Sequence, residues 1–503
     1  MVAVIESTLY STNAPVLILG MRCSSALAKC PLKAMEKSFP IIVQQVLDII
    51  KQAGNTESEL VQVAFKSLAT VLRDGPPVEV KEKDLVFLID LLSPDLEDPT
   101  RQASIFALLR AIVARKFIVP EIYDLMGRVS EIAVTSQSPQ LQELCRGVLL
   151  QFLLDYPQGK GRLRNQMAFF AKNLSYVHES GRTSIMELID AVISKFQVNL
   201  VREYADLLFV ALVMVVANDD STKCREMGAR LIKNLFTRLD EDHRNIVLSH
   251  LHSWASQSAQ PHLAWVSAQV SGLIVDVAQS ESLPYVSVIL DDLKVSLQYS
   301  ASLSTTDEDE DSHMDVDLEW QLPYHALTVL TKILRVFPTF ANQDDKIEWN
   351  LVVAHLLFPH SWVRTAACRL LGLLFSASPV APSRSDLPDD HPLSKPGMTN
   401  VAKKLSQQLK SEHLDEVLSL QIVKNLFYLG KCFCLISEDK GFANLNEPAP
   451  TLLENESSGE DKLKHLNNPL PWLFSKLSYQ VKSGHIARRN RSACMVRVNF
   501  PGT

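Results

Sequence analysis

The chain lacks the short motifs by which most enzyme active sites are recognised in a sequence. Its 503 residues contain no GxSxG, HExxH, Walker-type lysine motif or paired CxxC. Glycine is scarce, at 17 residues, which argues against Gly-rich phosphate loops and against many tight hairpins. We therefore expect a protein that is not an enzyme and has no catalytic residue, cofactor, metal site or small-molecule substrate.

Long apolar runs and an overall basic charge are also missing. The longest apolar run, Leu207–Ala217, has eleven residues, whereas a helix needs about 20 to cross a bilayer. Glu6 and the lack of a basic start argue against a secretory signal, so no membrane partner is expected. The formal net charge of -7 excludes a chain that is basic throughout, as many nucleic-acid-binding proteins are. The eight cysteines form no CxxC pair, which is typical of reduced, buried thiols in an intracellular protein.

What the sequence does contain is a pattern that recurs about every 40 residues. Its clearest copy has a turn at Pro359, a reference position at Val363, a small residue at Ala367 and an apolar pair at Leu370-Leu371. These spacings place the apolar residues on one face of a helix. The reference positions that we assign are Leu60, Thr100, Leu141, Gly181, Cys224, Val266 and Val363.

A repeat of this length is typical of stacked helix pairs. Oxygen-bearing side chains or prolines precede most of the second helices, as expected of N-cap and first-turn positions. A single globular core stops growing near ~250–300 residues, whereas a repeat array escapes that limit because each repeat packs only on its neighbours. We predict an all-α fold, a HEAT/armadillo-like helical-repeat solenoid in which antiparallel helix pairs form a right-handed superhelix.

Changes in composition divide the chain further. The predicted segments are an unplaced N-terminal part (1–36), HEAT-like repeats (37–300), an acidic disordered insertion (301–319), more HEAT-like repeats (320–375), a Pro/Ser-rich loop (376–397), C-terminal helices (398–437), a polar loop (438–468), and a short helix with a basic tail (469–503). The insertion explains why the last repeat lies two periods beyond its predecessor.

Arginines follow the reference position in several repeats. Arg101, Arg225 and Arg364 occupy this place. We expect each to bond an acidic turn residue of the neighbouring repeat rather than a ligand.

Two basic patches are candidate contacts with RNA or a protein partner. The first contains Lys160, Arg162, Arg164 and Lys172, and the second contains Arg488, Arg489 and Arg491. Lysine and arginine neutralise phosphates without reading sequence. A solvated face is the alternative for the first patch, and a nuclear address is the alternative for the second. The acidic run 307–319 is either a solvated loop or a contact for a basic ribonucleoprotein partner.

Seven stretches are more specific than a generic helical repeat. They are Val80–Leu85, Val119–Asp124, Thr135–Pro139, Leu153–Gly159, Lys172–Tyr176, Glu179–Arg182 and Asn218–Met227. Together they resemble the C-terminal region of the very large "down-regulated in metastasis" (DRIM) family, most clearly over residues 39–240. Because members of that family are several times longer, we expect a C-terminal fragment. Residues 485–503 depart from the family's continuation, and we expect a mis-predicted tail there.

The resemblance implies a function without catalysis. Members of the family are helical-repeat scaffolds of the nucleolar small-subunit processome (the 90S pre-ribosome), and they are associated with the U3 small nucleolar ribonucleoprotein. The implied role is to support pre-rRNA processing toward 18S rRNA, in the nucleus and nucleolus. The implied partners are other processome proteins and pre-rRNA or U3 small nucleolar RNA. An importin-like carrier, or another HEAT adaptor of protein partners, remains the alternative because the fold alone does not decide function.

Overall fold

The computed structural model describes residues 2–30, 33–257, 260–303, 320–342, 346–378, 380, 386–409, 414–438 and 473. Over these ranges the regular structure is helical and contains no strand, so the all-α prediction is confirmed. The helices are α1 (Val2–Thr8), α2 (Ala14–Ala28), α3 (Lys33–Ala53), α4 (Glu59–Asp74), α5 (Glu82–Leu92), α6 (Gln102–Ala114), α7 (Pro120–Thr135), α8 (Pro139–Asp155), α9 (Gly159–Asn173), α10 (Glu179–Lys195), α11 (Val198–Glu203), α12 (Ala205–Asn218), α13 (Thr222–Thr237), α14 (Glu241–Ala255), α15 (Pro261–Ala278), α16 (Leu283–Leu303), α17 (Gln321–Val336), α18 (Trp349–Ala354), α19 (Ser361–Ala377), α20 (Lys395–Gln408) and α21 (Glu416–Glu438).

The chain forms two compact units, Met1–His243 (unit 1) and Arg244–Thr503 (unit 2). In unit 1 the second helix of each pair packs on the next: α4 contacts α2 and α6, α8 contacts α6 and α10, and α10 contacts α13. The first helices α3, α7, α9 and α12 pack on their partners α4, α8, α10 and α13. Unit 2 repeats this arrangement through α15, α17, α19 and α21. The predicted helical-repeat stack is thus confirmed, while its handedness and its segment boundaries stay predictions.

The predicted reference positions fall at one structural place in four helices. Leu141, Gly181, Cys224 and Val363 each lie two residues after the first residue of their helix. All four are buried. The sequence therefore predicts the packing register of α8, α10, α13 and α19.

Two reference positions are wrong. Thr100 is exposed and precedes α6, because the Asp98 side chain accepts bonds from its N–H (2.8 Å) and its hydroxyl (2.6 Å) and holds it in a turn. In α4 the buried face begins at Val61 rather than at Leu60.

Five long side chains close the turns between paired helices, and we call them the turn anchors. Each comes one residue after the inward-facing position and donates to the backbone carbonyl six residues before it. The bonds run from Gln62 Nε2 to Thr56 O (2.7 Å), from Gln142 Nε2 to Ser136 O (2.8 Å), from Arg182 Nη1 to Tyr176 O (2.9 Å), from Arg225 Nη1 to Asp219 O (2.6 Å) and from Arg364 Nη1 to Phe358 O (2.9 Å). The accepting carbonyls lie in the turn just after the preceding helix, outside the hydrogen bonds within either helix, and each anchor gives one of them a donor.

The arginines behave in two ways, which corrects part of the prediction. Arg101 pairs with Asp95 (2.8 Å) and, in the turn of the neighbouring repeat, with Glu57 (3.6 Å), as expected. For Arg225 and Arg364 the expectation is wrong, because both guanidinium groups bond carbonyls of their own turn. The ends of the preceding helices offer these nearby acceptors.

Arg182, which the sequence does not single out as a ladder member, makes a largely buried ion pair between repeats. Its Nη2 donates to the carboxylates of Asp219 (2.9 Å) and Asp220 (2.7 Å) in the next turn. The side chains of Arg182 and Asp219 are 9% and 4% exposed. Since Arg225 holds the carbonyls of the same two aspartates, consecutive anchors are connected.

Two helical stretches, Pro261–Ser302 and Glu416–Ile436, are long and apolar enough to cross a membrane by length and composition. The core helices of soluble proteins pass the same test. Here the first stretch comprises α15, a short 3-10 turn and α16, and α15 buries Val270 and Ile274. The expectation that no membrane is bound stays a prediction.

Most of the described cysteines are inert by burial. None of these seven forms a disulfide, and Cys145, Cys224, Cys368 and Cys432 are buried. Desolvation raises the pKa of Cys145 and of Cys368 to about 12, so both stay thiols at neutral pH.

Replacing Arg182 by Ala should destabilise unit 1 by about 3–5 kcal/mol, because Asp219 would stay buried without its cation. Urea unfolding followed by circular dichroism would show the loss. Asp220→Asn is the matched control, since the Asp220 side chain is 90% exposed and its loss should change stability little. Equal stability of Arg182→Ala and the wild type would contradict the role of this ion pair.

Acid should lower the stability of unit 2, because the ring of His325 resists protonation in the folded state. The rings of Trp265 and His325 stack at 5.8 Å, and burial, with a smaller effect of Lys332, lowers the pKa of His325 to about 4. The unfolded chain therefore takes up this proton first, and between pH 6.5 and pH 4 the stability should fall by up to about 1.4 kcal/mol per pH unit. The effect is absent above pH 6.5.

Thermal unfolding across this pH range tests the assignment. His325→Phe should flatten the pH dependence, while His262→Phe, at an exposed histidine on α15, the helix that carries Trp265, should leave it as in the wild type. An unchanged slope in His325→Phe would contradict the role of this ring.

Candidate nucleic-acid interface

The turn before α9 is fixed by its own side chains, which donate to backbone carbonyls of earlier residues. Tyr156 donates its hydroxyl to the carbonyl of Phe117 (2.9 Å), and Gln158 Nε2 donates to the carbonyl of Phe152 (3.2 Å). Gly159 has φ +58°, a conformation that favours glycine. The start of α9 is therefore set by the preceding helix pair.

Tyr123 of α7 also supports the turn before α9. Its hydroxyl donates to the carbonyl of Pro157 (3.1 Å), and its ring contacts Phe152 and Tyr156 edge-on, at 5.4 Å and 6.3 Å between centroids. Burial raises the pKa of Tyr156, so this hydroxyl remains a donor at neutral pH. The aromatic group thus ties α7, α8 and the start of α9 together.

The predicted first patch lies on α9. Leu163, Met167 and Phe170 face the core, which leaves the opposite side of the helix to solvent. Arg162, Arg164 and Lys172 are exposed, and Lys160 lies in the first turn. The structure therefore brings the four predicted residues onto one helix.

The charged side chains of α9 all carry positive charge. Its sequence contains four cations and no acidic residue, and within the described part of the chain Arg162, Arg164 and Lys172 form no ion pair. Cations near a helix start oppose the helix dipole, so their presence in the first turns costs helix stability. An anion bound there would offset this cost.

Arg162 is held in position although it is exposed. Its guanidinium carbon lies 4.1 Å from the centre of the Tyr123 ring, a cation–π contact. Arg164 lies near Tyr204. Burial raises the pKa of the Tyr204 hydroxyl, and the positive charge of Arg164 opposes this rise in part. The sequence does not identify Tyr123 as the support of Arg162, although Tyr123 belongs to one of the stretches that carry the family resemblance.

The second predicted patch, with Arg488, Arg489 and Arg491, lies outside the described residues, as does the acidic run 307–319. The described residues contain no group of three or more His, Cys, Asp or Glu side chains that could hold a metal ion.

An open depression is lined by Val380, Phe427, Lys431, Cys434 and Leu435. Of these side chains only Lys431 carries a charge, and no catalytic base accompanies it.

The fold defines the chain as a HEAT-like helical-repeat protein, and one of its helices, α9, has an exposed basic face. No family model matches it. It is 33% identical over 453 residues to U3 small nucleolar RNA-associated protein 20 of Schizosaccharomyces pombe. The matched region covers 88% of this chain and 18% of that protein. It is 32% identical over 375 residues to the protein of the same name from Saccharomyces cerevisiae, covering 74% of this chain and 14% of that protein.

The chain therefore belongs to the family of U3 small nucleolar RNA-associated protein 20, which confirms the predicted family resemblance. It spans less than a fifth of the length of these relatives. Among solved structures it is similar to Kap121p bound to Nup53p, with 13% identity, a TM-score of 0.47 and coverage of 98% of this chain and 45% of that one. A likeness this low carries no functional argument.

Proposed function

We propose that this chain is part of a non-catalytic helical-repeat scaffold of the nucleolar small-subunit processome, which supports pre-rRNA processing toward 18S rRNA and small-subunit biogenesis. The observation that carries the proposal is the 33% identity over 88% of the chain to a relative named as U3 small nucleolar RNA-associated. The proposed partners are other processome proteins and pre-rRNA or U3 small nucleolar RNA.

The exposed face of α9 is the proposed contact with RNA. Arg162, Arg164 and Lys172 would neutralise backbone phosphates and release counterions, which gives affinity without sequence readout. Because Tyr123 holds the Arg162 guanidinium, less side-chain freedom is lost on binding. Sequence specificity would then come from base pairing within the RNA or from other proteins of the particle.

Affinity purification of the tagged chain from nuclear extract tests this proposal. The wild type should recover U3 small nucleolar RNA and 18S precursors, measured by quantitative reverse transcription, and should localise to the nucleolus. A variant with Arg162→Glu, Arg164→Glu and Lys172→Glu should lose most of this RNA, because each reversal removes a phosphate contact and adds repulsion.

The matched control carries Lys66→Glu, Lys83→Glu and Lys195→Glu, which makes the same charge change at exposed sites of unit 1 outside α9. It should recover RNA as the wild type does. Equal losses in the two variants would contradict a contact at α9, and a wild-type chain that recovers neither RNA and stays outside the nucleolus would contradict the proposed function.

A further inference from the structure

Helix α12 leaves an apolar face in water. Its run Leu207–Ala217 consists of eleven apolar residues, whereas a helix at the surface of a folded protein ordinarily turns polar side chains to solvent. Here the solvent side is formed by Leu207, Val210 and Met214, whose exposed fractions are 38%, 36% and 55%. We call these three residues the apolar stripe. The proposed RNA contact makes no use of it.

The stripe lies along one line of a well-packed helix. Its members are spaced by three and four residues, which places them on one face, and they extend over about 10 Å of helix length. The opposite face of α12 is buried and packs on α13. At the end of the stripe, Asn218 Nδ2 donates to Met214 Sδ (3.9 Å). Little conformational freedom of the helix therefore remains to be lost when a partner binds.

The side of the stripe toward α9 carries positive charge. Helix α9 packs beside α12, and Arg164 lies near Tyr204, the N-cap of α12. Lys172 is exposed and follows Arg164 by eight residues, which is about 12 Å along the helix. The exposed Ala168 lies between these two cations. An uncharged surface with a cationic edge thus extends over about two helical turns.

The acidic side chains of α12 and of the turn after it lie beyond the two ends of the stripe. Asp206 precedes the stripe, and Asp219 and Asp220 follow it and are paired with Arg182. Alongside the stripe, α9 contributes cations and no acid. The complementary ligand is therefore apolar along one line and acidic along one edge.

The chemistry of the stripe favours a polypeptide over a nucleic acid or a bilayer. Nucleobases stack on aromatic rings, and the stripe is aliphatic. A bilayer is reached by side chains that project, whereas more than three-fifths of Leu207 and of Val210 is covered by neighbouring atoms. A helix reaches such side chains, because the ridge of one helix fits the grooves of another. Grooves of this kind accept amphipathic helices whose apolar residues recur every three or four positions.

We propose that α12 and the adjoining edge of α9 form a docking site for an acidic amphipathic helix of a protein partner. Its apolar residues would cover the stripe, and acidic residues about eight positions apart would face Arg164 and Lys172. Both cations also belong to the proposed RNA contact, so the helix and the RNA would compete for them. Arg162, which Tyr123 holds on the α7 side of α9, is left to the RNA.

Fluorescence anisotropy of three labelled peptides, each titrated with the full chain, tests the site. The acidic peptide is a helix of about 20 residues with leucines spaced by three and four and glutamates along one flank. A second peptide has lysines in place of the glutamates, and a third has the composition of the first in scrambled order. The acidic peptide should bind, the lysine peptide about three- to tenfold more weakly, and the scrambled peptide at least about tenfold more weakly.

A stripe variant with Leu207→Ser, Val210→Ser and Met214→Ser should bind the acidic peptide at least about tenfold more weakly than the wild type, because less apolar surface leaves water. The matched control makes three substitutions to serine at exposed apolar positions of α16 in unit 2, and it should bind as the wild type does. These positions are Val288, Val295 and Tyr299.

Equal binding of the acidic and scrambled peptides by the wild type, or undiminished binding by the stripe variant, would overturn the proposal. Oligouridine RNA should bind the wild type and the stripe variant equally, and vesicles of phosphatidylcholine and phosphatidylserine should bind neither. Loss of RNA or vesicle binding in the stripe variant would also overturn the proposal and would assign the stripe to that ligand.

Two further points keep the test decisive. Circular dichroism shows whether each variant is folded, and Met214→Glu, at the most exposed position of the stripe, decides the matter if the stripe variant is not. This single change should weaken binding of the acidic peptide by like-charge repulsion. Recovery of nuclear RNA by the wild type does not enter this test, so the docking site and the proposed function fail separately.

Discussion

The stack of helix pairs depends on how the chain closes the turn inside each pair. The carbonyls of such a turn lie outside the hydrogen bonds within either helix, and a partly buried carbonyl left without a donor costs free energy. In five pairs the cost is met by a glutamine or arginine that reaches back six residues, as Gln142 does to Ser136 and Arg225 to Asp219. Since the anchor is one residue from the inward-facing position, the bond that closes the turn also sets the packing register.

The same logic places the candidate contact surface on α9. On α9 the basic face begins at a turn held by Tyr123 and Tyr156, and Tyr123 also holds the Arg162 guanidinium in the first turns of the helix. Local choices that cost stability are expected where a surface serves binding.

Periodicity predicts most of the architecture, because each repeat packs on its neighbour through one helix face. It is right for Leu141, Gly181 and Cys224, and wrong at Thr100, where a local Asp98 turn delays the helix. The direction of an arginine is not encoded in the spacing: Arg225 has both acids and carbonyls within reach, and only the folded turn decides. Likewise, that Tyr123 supports Arg162 depends on contacts between repeats, which no single-sequence pattern states.

Hydrogen exchange of the turn around Asp219 tests the dependence on anchors most directly. In Arg225→Ala the amides from Asp219 to Cys224 should exchange faster, because the carbonyls of Asp219 and Asp220 lose their donor, while α4 and α6 should stay as protected as in the wild type. Arg230→Ala, which removes only an ion pair with Asp190 (3.7 Å) on α10, should leave the turn protected. Unchanged protection of this turn in Arg225→Ala, or equal loss in both variants, would contradict the account.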